Sequence, residues 1–535
     1  MKSACPSLLG VALVVLVAAI GLPHSMAGES PADPNKIESL TPEQADVLAQ
    51  RKGSLKLNNL TTLSAEAAKA LGQHKRRWLA LNGLTTLSGE QVTALSQHAV
   101  GLSLNGLTTL TDDAAKALAE HKGSLNLNGL TTLSDEQVKA LAQHAGGLSL
   151  NGLTTLTDDA AKALAEHKGR LSLNGQTTLS DEAAKALARH EGALFLDGLT
   201  MLSAEAAKAL ARHEGLVSLN GLTTLSAEAA KAFMLHEGNL SLNGLTRLSD
   251  EAAKALAQYK GSLSLGGLTT LSAEAAEALA QHEGNLALNG LPTLSGAVAE
   301  ALSRHTNGLS LNGLTTLSAE AARALAEHEG NLILNGLPTL SAEAARALAE
   351  HEGNLSLNGL TTLSAAAAEA LAEHEGNLIL NGLTMLSAEV AEALAEHEGN
   401  LILNGLTTLS AEVAEALGQH KGRLSLNGLT TFSGEVAKAL AAAEKWDGNL
   451  PALTAVDSPD SVAVTQALAA RKGRLSLPKL KKISPKTLAA LIQKEDVEIP
   501  FIETLELISE PDGSATDDFV IPEWLEEREK QKRFR

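Results

Sequence analysis

The 535-residue chain sets 43 Lys and Arg against 62 Asp and Glu, for a formal charge of −19, with 44% hydrophobic and only 2% aromatic residues. This balance argues against a nucleic-acid or anionic-membrane binder acting through a basic surface, and the aromatics are too few for a base-stacking platform. The single cysteine, Cys5, precludes a disulfide framework, a thiolate metal site within the chain, or thiol chemistry after removal of a leader.

Residues 1–27 read as a secretory signal. Lys2 is the charged start, the segment from Leu8 to Leu22 is apolar, and Ser25-Met26-Ala27 supplies small residues for cleavage. The alternative is a retained N-terminal anchor, although this run is short for a membrane span. Residues 28–34 read as a Pro-containing linker.

From residue 35 to 446 one unit repeats. Asn58 and Asn82 mark the first two clear copies. From Asn82 the unit recurs in constant phase through Asn105, Asn128, Asn151 and onward to Asn427, giving 17 copies, with a weaker one at Asn35. A fixed period of about 23 residues signals a solenoid, in which no unit buries its own apolar face and each supplies its neighbour's core. Within a unit, Leu102-Ser103-Leu104 alternates as a very short strand. Asn105-Gly106 reads as a turn with Gly at φ > 0. Thr111 reads as the N-cap of a helix whose first turn holds Asp112 and Asp113. Ala114, Ala115 and Leu118 share one face of that helix. His121 falls in its last turn, and Gly123 is placed to stop it. At about 4.8 Å per strand, 17 strands extend roughly 80 Å.

The stretch Leu127-Asn128-Gly129-Leu130-Thr131-Thr132-Leu133-Ser134-Asp135-Glu136 resembles the leucine-rich repeat, closest to the subtype with a Cys or Asn ladder after the strand. The resemblance implies a right-handed α/β solenoid, short parallel strands on one side and Ala-rich helices on the other, serving as a binding or structural surface and not as an enzyme. The ladder position is Asn except for Asp197 and Gly266. A weaker similarity to bacterial surface repeats of like period rests on Leu477-Pro478 and Ile499-Pro500.

After Trp446 the period frays. Residues 447–508 read as degenerate units forming a C-terminal cap, where a polar outer side is required. This segment holds a basic stretch from Arg471 to Lys486. Residues 509–535 read as a polar linker and short tail, with Trp524 among the apolar residues that could dock it.

Four repeated positions are candidates for chemistry. Fifteen of the 16 histidines share one register, including His121, His144 and His167, with Tyr259 breaking the row. Imidazoles suggest metal binding or a pH response below about pH 6.5, but helices roughly 8–10 Å apart hold them too far apart to share Zn²⁺. The row therefore reads as helix C-terminal residues capping carbonyls. The ladder of Asn105, Asn128 and Asn151 reads as bonding the backbone of adjacent coils. The Thr-Thr pairs, such as Thr108-Thr109, offer hydroxyl rows for ice or a crystalline surface, although adjacent residues of one strand cannot both face outward. The outward strand position is mostly Ser, and its apolar exceptions Phe195, Ile333, Ile379 and Ile402 form the candidate contact strip. Helix-face charge drifts from Lys116 and Lys139 early to Glu369, Glu392 and Glu415 late, a solvated face or a means of self-association.

No nucleotide-binding, nucleophile-elbow or zinc-protease motif is present in the sequence. The expectation is an exported, non-enzymatic scaffold without a cofactor, secreted or held in the periplasm or cell envelope. Its partners would be proteins or a repetitive envelope ligand, not nucleic acid, and it would not insert stably in a membrane once the signal is gone. The alternatives are a metal- or pH-responsive binder using the His row, and a surface binder using the Thr rows.

Overall fold

The computed structural model describes residues 36–510, apart from Lys52, Lys75, Arg76, Ser458, Pro459 and Glu495. The signal, the 28–34 linker, Asn35, Cys5 and the tail from 511, including Trp524, lie outside the described residues.

Each coil runs from a two-residue strand through an irregular crossing to a short helix and back. Seventeen strands, from Leu55–Lys56 to Leu424–Ser425, make one parallel sheet in which sequential coils are neighbours. The register never slips: Leu79 pairs with Leu102, Leu102 with Leu125, and Leu401 with Leu424. Two backbone bonds tie each coil to the next, as when Leu102 N donates to Ser124 O at 2.8 Å and Leu104 N to Asn126 O at 2.9 Å.

The helices start where their caps lie. Thr111 Oγ1 accepts from Ala114 N at 3.2 Å, and the helix spans Asp112–Ala119. Where Gln stands at the third helical position, as in Ser134 with Gln137, the reciprocal capping box forms. Each coil buries the same set: Leu102, Leu104, Leu107, Ala114, Ala115 and Leu118 are at most 1% exposed. At about 1.5–3 kcal/mol per buried leucine, this face supplies most of the driving force, and it exists only when a neighbour closes it. Alanine on the helix lets adjacent helices approach closely.

The repeat glycines differ from the sequence expectation. Among the described glycines, positive φ occurs only at Gly53, Gly448 and Gly473. Gly106 is required by close approach instead: a Cβ there would stand 2.1 Å from Asn82 O and 2.7 Å from Leu84 O. At Gly123 the clash would be with Val100 O, at 1.1 Å. Both glycines let the backbone of one coil lie directly on that of its neighbour.

The ends are built differently. An N-terminal helix, Pro42–Ala49, capped by Thr41, packs on the first full coil. Beyond Leu424 the sheet row continues through single bridges, Leu424 with Trp446 and Asn449 with Ser476, to the pair Leu475–Ser476 and Val497–Glu498. A second small sheet joins Ala455–Val456, Lys482–Ile483 and Glu506–Leu507. Part of the basic stretch is structural. Arg471, 6% exposed, lies over Trp446 and donates to Trp446 O, while Arg474 and Lys482 pair with Glu498 and Glu506 at 2.5 and 3.2 Å.

Candidate functional site: the strand face and the two interior ladders

Two ladders run along the solenoid, a His row in the core and a partly exposed Asn row at the end of the strands. The Asn ladder is bonded rung to rung. Asn105 Oδ1 accepts from Asn128 N at 3.0 Å, and Asn128 Oδ1 from Asn151 N at 2.9 Å. The same oxygen of Asn128 also accepts the Ser149 hydroxyl at 2.7 Å. The outward strand serine is therefore a second member of the ladder; Ser218, paired with Phe195, is 2% exposed, while Ser149, with the same bond, stays partly exposed. Asp197 fits because the rung acts as an acceptor: its carboxylate takes Ser218 Oγ, Asn220 N and Asn174 Nδ2. Gly266 donates its N–H to Asn243 but has no side chain to pass the bond on.

The His row lies in the core rather than on a helix end facing water. His121 N donates to Leu118 O at 3.1 Å, closing the helix with its backbone, while the residue is 1% exposed. All 15 histidines of the row are at most 4% exposed. Neighbouring rings in contact are 5.7–6.2 Å apart, most of them nearly parallel: His121 and His144 at 5.8 Å and 1°, His144 and His167 at 6.2 Å and 5°. Tyr259 is a rung, not a gap, stacked at 5.8 Å on His236 and 5.6 Å on His282. The slot selects a flat ring. Most ring nitrogens have no partner among the described residues, so burial disfavours the charged form. Burial first, and the adjacent imidazoles second, bring the pKa of His144, His305 and His374 down to about 4. A pH response near 6.5 is thereby displaced to more acid conditions. The rings, not the helices, set the spacing, and parallel rings about 6 Å apart cannot converge on one ion. No group of three or more His, Cys, Asp or Glu suited to a metal occurs among the described residues.

The Thr pairs lie in the irregular crossing, not in a strand, so Thr108 and Thr109 are both exposed. The strand-alternation argument against a double hydroxyl row does not apply there.

The strand face has two rows: the residue before each strand, from Ser54 to Arg423, and the second strand residue, from Lys56 to Ser425. Their charged members are Lys56, Arg170 and Arg423, and neither row contains a carboxylate. In a chain of charge −19 this is a sharp segregation. Ile379 pairs directly with Ile402, and Ser356 separates them from Ile333; all three isoleucines are partly exposed. Phe195 stands apart, with the Arg170 guanidinium 3.9 Å above its ring centre. The rows also contain a feature that sequence reading missed, a short second amide ladder before the strands. There Asn354 Nδ2 donates to Asn331 Oδ1 at 2.7 Å, and Asn377 Nδ2 to Asn354 Oδ1 at 2.6 Å. The run of Asn at 331, 354, 377 and 400 was its available signal.

No family model matches the chain, and no curated protein does so significantly. Among solved structures, a leucine-rich-repeat protein of Leptospira interrogans is similar at 21% identity over 79% of this chain and 95% of its own, with a TM-score of 0.29. The mouse RP105/MD-1 complex is similar at 14% identity over 84% and 82%, TM-score 0.43. An internalin of Listeria monocytogenes is similar at 14% identity over 74% and 82%, TM-score 0.25. The geometry of the chain carries the fold assignment: with its one-sided parallel sheet, its Asn ladder and its constant repeat, it is an α/β solenoid of the leucine-rich-repeat architecture.

Proposed function

We propose that the protein is an exported, non-catalytic scaffold that binds a protein or repetitive envelope ligand along its strand face by multivalent contact. The observation that carries this reading is the absence of carboxylates from the two strand-face rows, against helices rich in acid. A face without carboxylates and with only three cations is cheaper to desolvate than its surroundings. The Ile333, Ile379 and Ile402 strip then supplies apolar contact at one end. The N-terminal apolar run supports export, and no helix among the described residues is long and apolar enough to cross a membrane. Pull-down from a cell-envelope fraction tests the reading. Wild-type chain should retain a component that Ile379→Arg and Ile402→Arg together release; equal retention by the variant, or none by either, refutes the strand-face reading.

A further inference from the structure

The N-terminal half of the strand face carries a trough of about 380 Å³, lined by Trp78, Ser124, Asn126, Asn128, Gly147 and Arg170 among others. Its ends are fixed. Trp78, partly exposed, lies on the backbone of the next coil: a Cβ at Gly101 would fall 2.0 Å from its Cε3. The six-membered ring of the indole therefore covers the Gly101 backbone, which leaves no room there for a side chain. Arg170 stands four coils beyond, roughly 19 Å at strand spacing. Phe195 supports its guanidinium from the far side.

The floor between these two walls is open and rich in donors. A Cβ at Gly147 would meet only Ser124 Oγ at 3.4 Å and the Arg170 residue at 3.6 Å and beyond, so the coil does not require glycine there. Asn128 and Asn151 use their Oδ1 atoms in the ladder, and their Nδ2 groups make no hydrogen bond among the described residues. Arg170 makes no ion pair among the described residues. The nearby acid, Asp197, is engaged by Ser218, Asn220 and Asn174. Trp78, partly exposed, and the unpaired Arg170 guanidinium thus stand in the row before the strands, the Asn128 and Asn151 amides stand in the row after them, and all four line the same trough.

We infer that this trough binds a carboxylated oligosaccharide of uronic-acid type, with one sugar ring stacked on Trp78 and a carboxylate on Arg170. The apolar face of a pyranose ring matches a flat indole. Its hydroxyls and ring oxygen accept from the Asn128 and Asn151 amides. A planar guanidinium already held on an aromatic ring receives a carboxylate in bidentate fashion with little further ordering. A pyranose unit is about as long as the spacing between coils, so a linear oligomer stays in register over the floor. The assignment rests on the strand face being the binding surface, and it names the chemistry of one part of that surface.

The test titrates the full chain with galacturonic acid tetramers and, separately, with neutral cellotetraose, followed by tryptophan fluorescence and calorimetry. The acidic oligomer should bind, quench Trp78 emission and weaken with added salt; the neutral one should bind roughly ten-fold or more weakly. Trp78→Ala and Arg170→Ala should each lower affinity by about ten-fold or more, with circular dichroism unchanged and Arg170→Lys restoring only part of the loss. Equal affinity for both oligomers, no binding of either, or binding unaltered by Trp78→Ala overturns the assignment. Absence of oligomer binding by the wild-type chain, with its envelope capture through the isoleucine strip intact, sinks the saccharide assignment alone; absence of envelope capture by the wild-type chain sinks the scaffold reading.

Discussion

The interior of the solenoid and its strand face are built from the same repeating unit, yet they vary in opposite ways. Inside, each rung touches its own copy on either side. A change of size or polarity there is felt twice, and the rows stay His or Tyr, Asn or Asp with Gly266 the exception, and aliphatic at the core positions apart from Gln176 and Phe233. On the strand face, the residue before the strand ranges from Gly147 to Trp78 and from Asn331 to Arg170. Repetition therefore identifies the scaffold, and departures from repetition identify the surface on which one coil differs from the next.

The largest expected effect comes from attacking the interior with acid. The ladder histidines have depressed pKa values in the fold, about 4 at His144, His305 and His374, against 6.5 when unfolded. Their contribution is therefore fully present above pH 6.5 and is lost as pH falls toward 4, because the unfolded chain takes up protons first. Each such rung is worth at most about 3 kcal/mol, less where solvent screens it. Helix content followed by circular dichroism should collapse in that window while remaining intact at pH 8. Retention of the fold at pH 4 would contradict the burial of the rings. Replacing three rungs by phenylalanine, at His282, His305 and His328, should make the acid loss visibly shallower, since the stack already accepts a ring without imidazole nitrogens at Tyr259.

A steric break comes next. In Gly336→Val the new Cβ would meet Asn312 O at 2.0 Å and Leu314 O at 2.7 Å, which should cost at least about 3 kcal/mol in chemical unfolding. A valine at Gly147 on the strand face, where the space is open, should cost far less. Equal losses would erase the distinction between the two regions.

Smaller still, Asn312→Leu removes the acceptor of Asn335 N, bonded at 2.9 Å, for roughly 1–3 kcal/mol. Asn312→Asp should be nearly neutral, following Asp197. The smallest change is Ser310→Ala, which loses its bond to Asn289 Oδ1 at 2.8 Å and should cost about 0.5–1.5 kcal/mol by thermal denaturation.

The coil was legible in the sequence because its signals are local. Leucine alternation, the Ser or Thr cap and the Ala-rich helix each act within a few residues, and the phase of Asn58 through Asn427 sets the stacking. The ladder of Asn105, Asn128 and Asn151 could be anticipated from its period. The site was harder to read. Phe195 stood out as an apolar exception, but its partner Arg170 belongs to the preceding coil and comes near only through coil pairing. Trp78 and Gly147 are ordinary single substitutions until the sheet sets them along one trough.

By itself, the sequence determined that identical units stack, because no unit has a second apolar layer of its own. Tertiary structure decided where each side chain goes between coils. The distance from one copy to the next, 6.0 Å between the imidazoles of His328 and His351 and shorter at the strands, depends on how coils lie against one another. That distance turned histidine from a helix cap into a buried stack, and glycine from a turn residue into a contact point.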